Sequence, residues 1–236
     1  MRNDKNALKE LQHSLEKLQG HLRVLETKVP VEKQMEYFRF SEAIRPDLVD
    51  DRLLEEQIKV LSSKKSTSLD IKYALALLAI SGNVKAYRAI EAYNETHNDD
   101  WAAMSLLQAK ITLESEFSDE KQIFISSGLG GQGNRLRFFA FFKSNKGKFF
   151  SDYQKELIEK EIPYSIQKYK GILENVEIKD NYFTLLFLIH IQVDIKTMLD
   201  EAIYECNQYG NFINKGFIIT NVKVFSDEEI RNELMR

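Results

Sequence analysis

The chain has 236 residues, enough for two domains, with 43% hydrophobic residues, three prolines and ten glycines, so it can build a sizeable core and is not a disordered linker. A formal net charge of −3 gives no general attraction to nucleic acid or to an acidic membrane. One cysteine, Cys206, excludes an internal disulfide framework, and the longest apolar stretch, from Phe183 to Ile191, falls well short of the roughly 20 residues that span a bilayer. With no apolar signal core behind Met1, a cytoplasmic protein without a membrane anchor is expected.

The first segment carries Leu8, Leu11, Leu15, Leu18, Leu22, Leu25 and Val29 at alternating spacings of three and four. This a/d stripe predicts a coiled-coil helix over 1–30, ended by Pro30. The stripe is narrower than the face that most globular helices bury, which favours a partner helix and a homo-oligomer. An amphipathic helix packed on its own domain is the alternative.

Residues 31–118 predict a helical block. A turn at Arg45-Pro46-Asp47 separates two helices, and Leu53, Leu54, Ile58 and Leu61 have helical spacing. Ser68 is an expected N-cap for a helix running to Ile80 that is apolar nearly all round, closed by Gly82-Asn83. Helices from Val84 to Tyr93 and from Trp101 to Phe117 follow, with Asn98-Asp99-Asp100 between them. In its small-residue helix, Gly-Asn turn, second helix, acidic turn and Ala-rich third helix, the stretch 69–113 resembles HEAT-type repeats. That resemblance implies a protein-binding surface rather than catalysis.

From Lys121 the period changes from helical to alternating. Strands are predicted over 122–127 and 135–143, the second with Phe138, Phe139, Phe141 and Phe142. Ser151 with Gln154 forms a capping box for a helix toward Tyr169, with Pro163 inside it. Strands over 174–178 and 182–191, a helix capped by Asp194, a strand over 217–225 and a charged tail helix from Asp227 complete the order. The expected fold is therefore α followed by α+β: a coiled-coil helix (1–30), a HEAT-like helical block (31–118) and a duplicated ββα-type sheet domain (119–236).

Gly128, Gly130, Gly131 and Gly133 match a G-x-G-x-x-G pattern after a predicted strand. A dinucleotide fingerprint needs a helix next, and Arg135 onward predicts a strand, so that chemistry is not expected. Two readings remain open. The run is a flexible hairpin loop, or its amides receive an anion or a partner chain, with Asn134, Arg135 and Arg137 beside it. Residues 137–142 partly resemble the aromatic RNA-binding motif of RRM domains, departing from it at Phe138 and Ser144. Across 131–170 nine basic residues face four acidic ones, which permits a local basic patch.

No metal or cofactor is expected. His13, His21, His97 and His190 are not paired at ligand spacing, and Cys206 reads as a small apolar residue. Asp50-Asp51 and Asp99-Asp100 sit at helix starts, where capping accounts for them. With no catalytic constellation in view, the expectation is a non-enzymatic interaction scaffold that self-associates through 8–29 and binds a protein partner. The alternative is a module that binds nucleic acid or a phosphate ligand through the loop 128–137.

Overall fold

The computed structural model describes residues 22–44, 49–97, 99–117 and 123–236. Leu8, Leu11, Leu15, Leu18 and the predicted turn at 45–47 lie outside them. The described residues form two compact units, one from 22–28 with 125–236 and the other from 29–124. No helix among them is long and apolar enough to cross a membrane.

The predicted coiled coil does not extend through its last third. Leu22–Val24 is a strand, β1, and none of residues 22–30 is helical. Leu22 and Leu25 keep the three-residue heptad spacing, but the backbone around them is extended. Leu25 and Val29 are buried within non-helical backbone.

The helical unit holds α1 (Val31–Ala43), α2 (Asp51–Ser62), α3 (Ser68–Ile80), α4 (Val84–His97) and α5 (Asp100–Phe117). The caps are side-chain acceptors for otherwise unpaired amides. Asp50 accepts from Leu53 N–H, and Thr67 forms a capping box with Asp70, one residue before the expected Ser68. Asp99 accepts from Ala102 N–H at 2.8 Å. Helix α3 buries every residue from Ala74 to Ala79 because α1, α2, α4 and α5 all pack on it. Around it, the phenol of the fully buried Tyr37 on α1 donates to Gln108 Oε1 on α5 at 2.6 Å, and Trp101 Nε1 donates to Lys72 O at 3.1 Å. A solenoid repeat touches only its sequence neighbours. One helix enclosed by four others is instead a bundle, so HEAT-like stacking is not seen.

The sheet unit runs β4 (Arg135–Ser144), α6 (Asp152–Lys168), β5 (Ile172–Ile178), β6 (Tyr182–His190), α7 (Ile195–Asn207) and β7 (Ile213–Thr220), with α8 (Asp227–Met235) at its end. The spatial order is β5-β6-β4-β7, every neighbour antiparallel, and β3 (Gly131–Gln132) forms a hairpin with the start of β4. Thus β4 and β5 are parallel with β6 between them, and β6 and β7 are parallel with β4 between them. This is two interlocked split βαβ units, the ferredoxin-like arrangement. It corrects the expected ββα repeat: β2 (Ile123–Ile125) stays out of this sheet, and β4 pairs with β6 rather than with its predecessor. The expected caps Ser151 and Asp194 are in place, and α6 continues through Pro163.

Strand alternation sends β4 residues to opposite faces. Ala140 and Phe142 join Phe183, Leu185 and Phe187 of β6 against Ile158, Ile162 and Ile166 of α6 and Met198, Leu199 and Ala202 of α7. Phe142 stacks on Phe183 with centroids 4.5 Å apart. Phe139 and Phe141 face the other way, into a smaller cluster with Leu129, Tyr182, Ile218, Phe225, and Ile230 and Leu234 of α8. Replacing Phe142 by alanine removes a fully buried ring with no room to collapse. Phe142→Ala should cost about 3–5 kcal/mol in denaturant unfolding, whereas Phe149→Ala, at a position 74% exposed, should stay within about 0.5 kcal/mol.

Candidate nucleic-acid interface

The glycine-rich run is a backbone junction. A Cβ on Gly128 would stand 1.9 Å from Val222 O, one on Gly130 2.5 Å from Glu26 O, and one on Gly131 2.2 Å from Arg135 O. Three chain segments (24–27, 128–131 and 221–222) meet too closely for any side chain. Gly130 also has a φ of +65°. Gly133, with φ +58° and open space around it, is the first central residue of the two-residue β3–β4 hairpin, the position where a type II′ turn takes glycine.

The groups of this loop are committed to the fold. Leu129 N–H donates to Asn221 O at 3.0 Å, Gly130 N–H to Ser127 O at 3.2 Å, and Gly133 N–H to the Glu26 carboxylate at 3.0 Å. Arg137 is only 12% exposed, and its guanidinium donates through Nε and Nη2 to Glu174 at 2.5 and 2.8 Å and through Nη1 to Leu129 O at 2.7 Å. That guanidinium beside Glu174 holds its carboxyl below the usual carboxylate range. Of the predicted ligand loop, Gly133, Asn134 and Arg135 form the accessible tip. Arg135 spends Nε on Lys170 O at 3.2 Å.

Elsewhere the sheet unit builds a surface that no sequence motif marks. At the far end of β4, the turn Asn145-Lys146-Gly147 has left-handed backbone at Lys146 and Gly147, and the facing α7–β7 loop has positive φ at Gly210 and Asn211. Asn145 ties the two loops together, its N–H donating to Phe212 O at 2.7 Å and its side-chain amide to Asn211 O at 3.1 Å. Between them lies a cleft of about 340 Å³ lined by Lys146, Lys148, Phe149, Gln154 and Asn211 among others, with no acidic side chain in its wall. A second cleft of about 740 Å³ shares Asn211 and is lined by Lys196, Asp200, Tyr204, Gln208 and Lys215. Phe149, Tyr204 and Tyr209 are 74%, 66% and 58% exposed. The sequence signal was Lys-Gly-Lys-Phe-Phe at 146–150, a basic turn beside an aromatic pair. Phe150 is buried and Phe149 is not, and the sequence does not distinguish them.

The remaining candidates are not among the residues that line these clefts. His190 accepts a hydrogen bond on Nδ1 from Gln192 N–H at 3.4 Å, and His97 stacks on Tyr93 at 3.9 Å. Cys206 is enclosed in the α6–α7 core, where burial pushes its thiol up to about 12, so it carries no thiolate at neutral pH. No group of three or more metal-ligating side chains occurs among the described residues.

No family model and no curated protein matches the sequence. Two solved structures are similar in part: a candidate transposase from Deinococcus radiodurans R1, at 13% identity and TM-score 0.35 over 44% of this chain and 89% of that one, and a REP-associated tyrosine transposase bound to a REP hairpin, at 9% identity and TM-score 0.34 over 50% of this chain and 68% of that one. A likeness this distant transfers no residue role. The expectation of a non-enzymatic protein-interaction scaffold finds no support in these likenesses: both structures are described as transposases, and the second as bound to a REP hairpin.

Two measurements check the junction. Gly128→Ala forces a Cβ into a backbone carbonyl and should destabilise far more than Gly133→Ala, which meets only left-handed strain of about 1–2 kcal/mol. For the ion pair, a carboxyl with a lowered folded-state pKa stabilises the fold above its unfolded value and loses that contribution as pH falls through the folded one. Glu174→Gln should therefore cost about 1–2 kcal/mol in denaturant unfolding at pH 7. Its difference from the parent should narrow below the ordinary carboxyl value of 4.5.

Proposed function

We propose that the sheet unit is a nucleic-acid-binding module whose contact surface is the two clefts that share Asn211, one between the 145–150 turn and the 210–212 loop and the other between α7 and the 208–215 loop. The observation that carries this reading is an exposed aromatic ring set among lysines in a cleft that has no acid in its wall, Phe149 with Lys146 and Lys148, beside a second cleft lined by Tyr204 and Lys215 whose one carboxylate, Asp200, is paired with Lys196. Rings that lie open to solvent stack on unpaired bases, and lysines track the phosphates between them. The side-chain amides of Gln154, Gln208 and Asn211 add donors and acceptors for base edges. Single-stranded segments suit this surface, because a paired base hides the face that Phe149 would meet.

The net charge of −3 does not oppose this, since binding follows the local field. Screening shortens the reach of distant acids to about 10 Å at 0.1 M salt. The tip of the glycine-rich loop supports a second reading, in which Arg135 contacts the phosphate backbone with its unspent Nη groups beside the exposed Lys170.

Fluorescence anisotropy with a labelled thymidine oligomer of about 20 nucleotides separates the two. On the first reading Phe149→Ala weakens binding about 5- to 100-fold, the worth of one stacked base. The pair Lys146→Glu with Lys148→Glu should weaken it further and flatten the salt dependence between about 50 and 200 mM. Affinity unmoved by all three changes, but lost with Arg135→Ala, transfers the site to the hairpin tip. Binding that is absent, or insensitive to salt, removes the proposal.

A further inference from the structure

The proposed clefts leave one feature of the sheet unit unused. The sheet face opposite α6 and α7 carries Phe139 and Phe141 on β4 and Tyr182 on β6, three aromatic rings on the two central strands. Phe141 and Tyr182 lie 5.7 Å apart between centroids. Open sheet faces with aromatics on the central strands are stacking platforms for unpaired bases. Here the face is covered by α8, a nine-residue helix, together with Leu129 and with Phe225, whose ring lies 5.2 Å from that of Phe139.

The attachment of α8 is slight. Ile230 and Leu234 are its apolar contacts with the cluster, and Lys143 Nζ donates to the Glu233 carbonyl at 3.0 Å. An ion pair from Lys223 to Glu229, 2.5 Å long and largely exposed, joins the helix to the loop that leads into it. The helix brings acids to a basic rim: Asp227, Glu228, Glu229 and Glu233 lie on α8, while Lys143, Lys179 and Lys223 edge the face. In sign, α8 holds the place that a phosphate backbone would take.

We infer that the sheet face of Phe139, Phe141 and Tyr182 is a second nucleic-acid-binding surface, which α8 occupies in cis as an acidic, displaceable cover. The inference rests on the reading of the sheet unit as a nucleic-acid binder, but it uses different residues. A bound strand of sufficient length would lift α8, stack bases on the exposed rings and exchange the contacts of Lys143 and Lys223 from α8 to phosphates. Salt weakens both contacts, so the exchange is governed by the number of phosphates that the strand brings.

The test uses the full chain and the same labelled thymidine oligomer. Ile230→Asp with Leu234→Asp loosens α8 and should tighten binding at least about 5-fold, roughly 1 kcal/mol at 1.4 kcal/mol per decade. Adding Tyr182→Ala should cancel that gain. In the unaltered chain, a saturating oligomer should speed amide hydrogen exchange at 227–235, a readout that does not depend on any variant folding. If loosening α8 leaves affinity unchanged and exchange at 227–235 is unmoved while Phe149→Ala still weakens binding, this inference fails and the cleft reading stands. If affinity depends on Tyr182 in the loosened chain but never on Phe149, the cleft reading fails and this one stands. Absence of binding in every form overturns both.

Discussion

Strand β4 is the constraint on which the sheet unit depends. It is central, with β6 on one side and β7 on the other, and both of its faces are buried. A two-sided strand cannot slip by one residue, because a slip would exchange Phe139 and Phe141 for Ala140 and Phe142 and leave the wrong volumes on both faces. The α6–α7 face is large and continuous, and it supplies most of the apolar burial. The α8 face is small. Ile230 and Leu234, at about 1.5–3 kcal/mol for each side chain fully buried, set an upper bound of about 3–6 kcal/mol on the helix's apolar grip before ordering entropy is subtracted. The two faces of one strand thus differ in how firmly they are held.

The start of β4 is fixed by a different device. At Gly128, Gly130 and Gly131 three backbone segments come within a side chain's reach of one another, and Arg137 bridges Leu129 on one side of the junction to Glu174 on β5. The expected ligand loop is therefore the clamp that seats β4. Glycine serves there because a carbonyl occupies the space a Cβ would need, which is the same physical demand that a pyrophosphate makes of a nucleotide fingerprint. The far end of β4 has no such clamp. It ends in left-handed turns at 146–147 and 210–211, held by the two hydrogen bonds of Asn145, and that is where the exposed rings and lysines gather. One end of the strand is committed to the fold, and the other is free to meet a ligand.

Local chemistry was legible in the sequence. Ser151 with Gln154, Asp194 and the buried apolar run of α3 from Ala74 to Ala79 follow from capping and periodicity within a few residues. What depended on distant partners was not. The leucines at 22 and 25 fit a heptad, and nothing in their spacing shows that Leu22–Val24 is a strand lying before a segment that packs on Gly130. The glycine pattern matched a phosphate motif because close approach looks alike whatever approaches, and Val222 and Glu26 are far away in sequence. Strand pairing failed in the same way: β4, α6 and β5 were each placed, but that β6 inserts between the two parallel strands is a tertiary fact. Phe149 was overlooked because an exposed phenylalanine and a buried one, side by side, carry the same letter.

The charge pattern joins these points. A chain with a net charge of −3 must assemble any polyanion site from local excess, and its lysines must be kept from its own acids. At the 145–150 turn they are kept so by geometry, since the wall of the cleft has no carboxylate. On the sheet face they are not: Lys223 is paired with Glu229, and Lys143 caps a carbonyl of the same acidic helix. A strand arriving at the first surface, at the 145–150 turn, meets Lys146 and Lys148, which have no ion pair among the described residues, and loses only its own freedom on binding. At the second it must also displace α8, so its apparent affinity there is lowered by the fraction of chains in which the face is open. On the two proposals taken together, the open surface engages before the covered one.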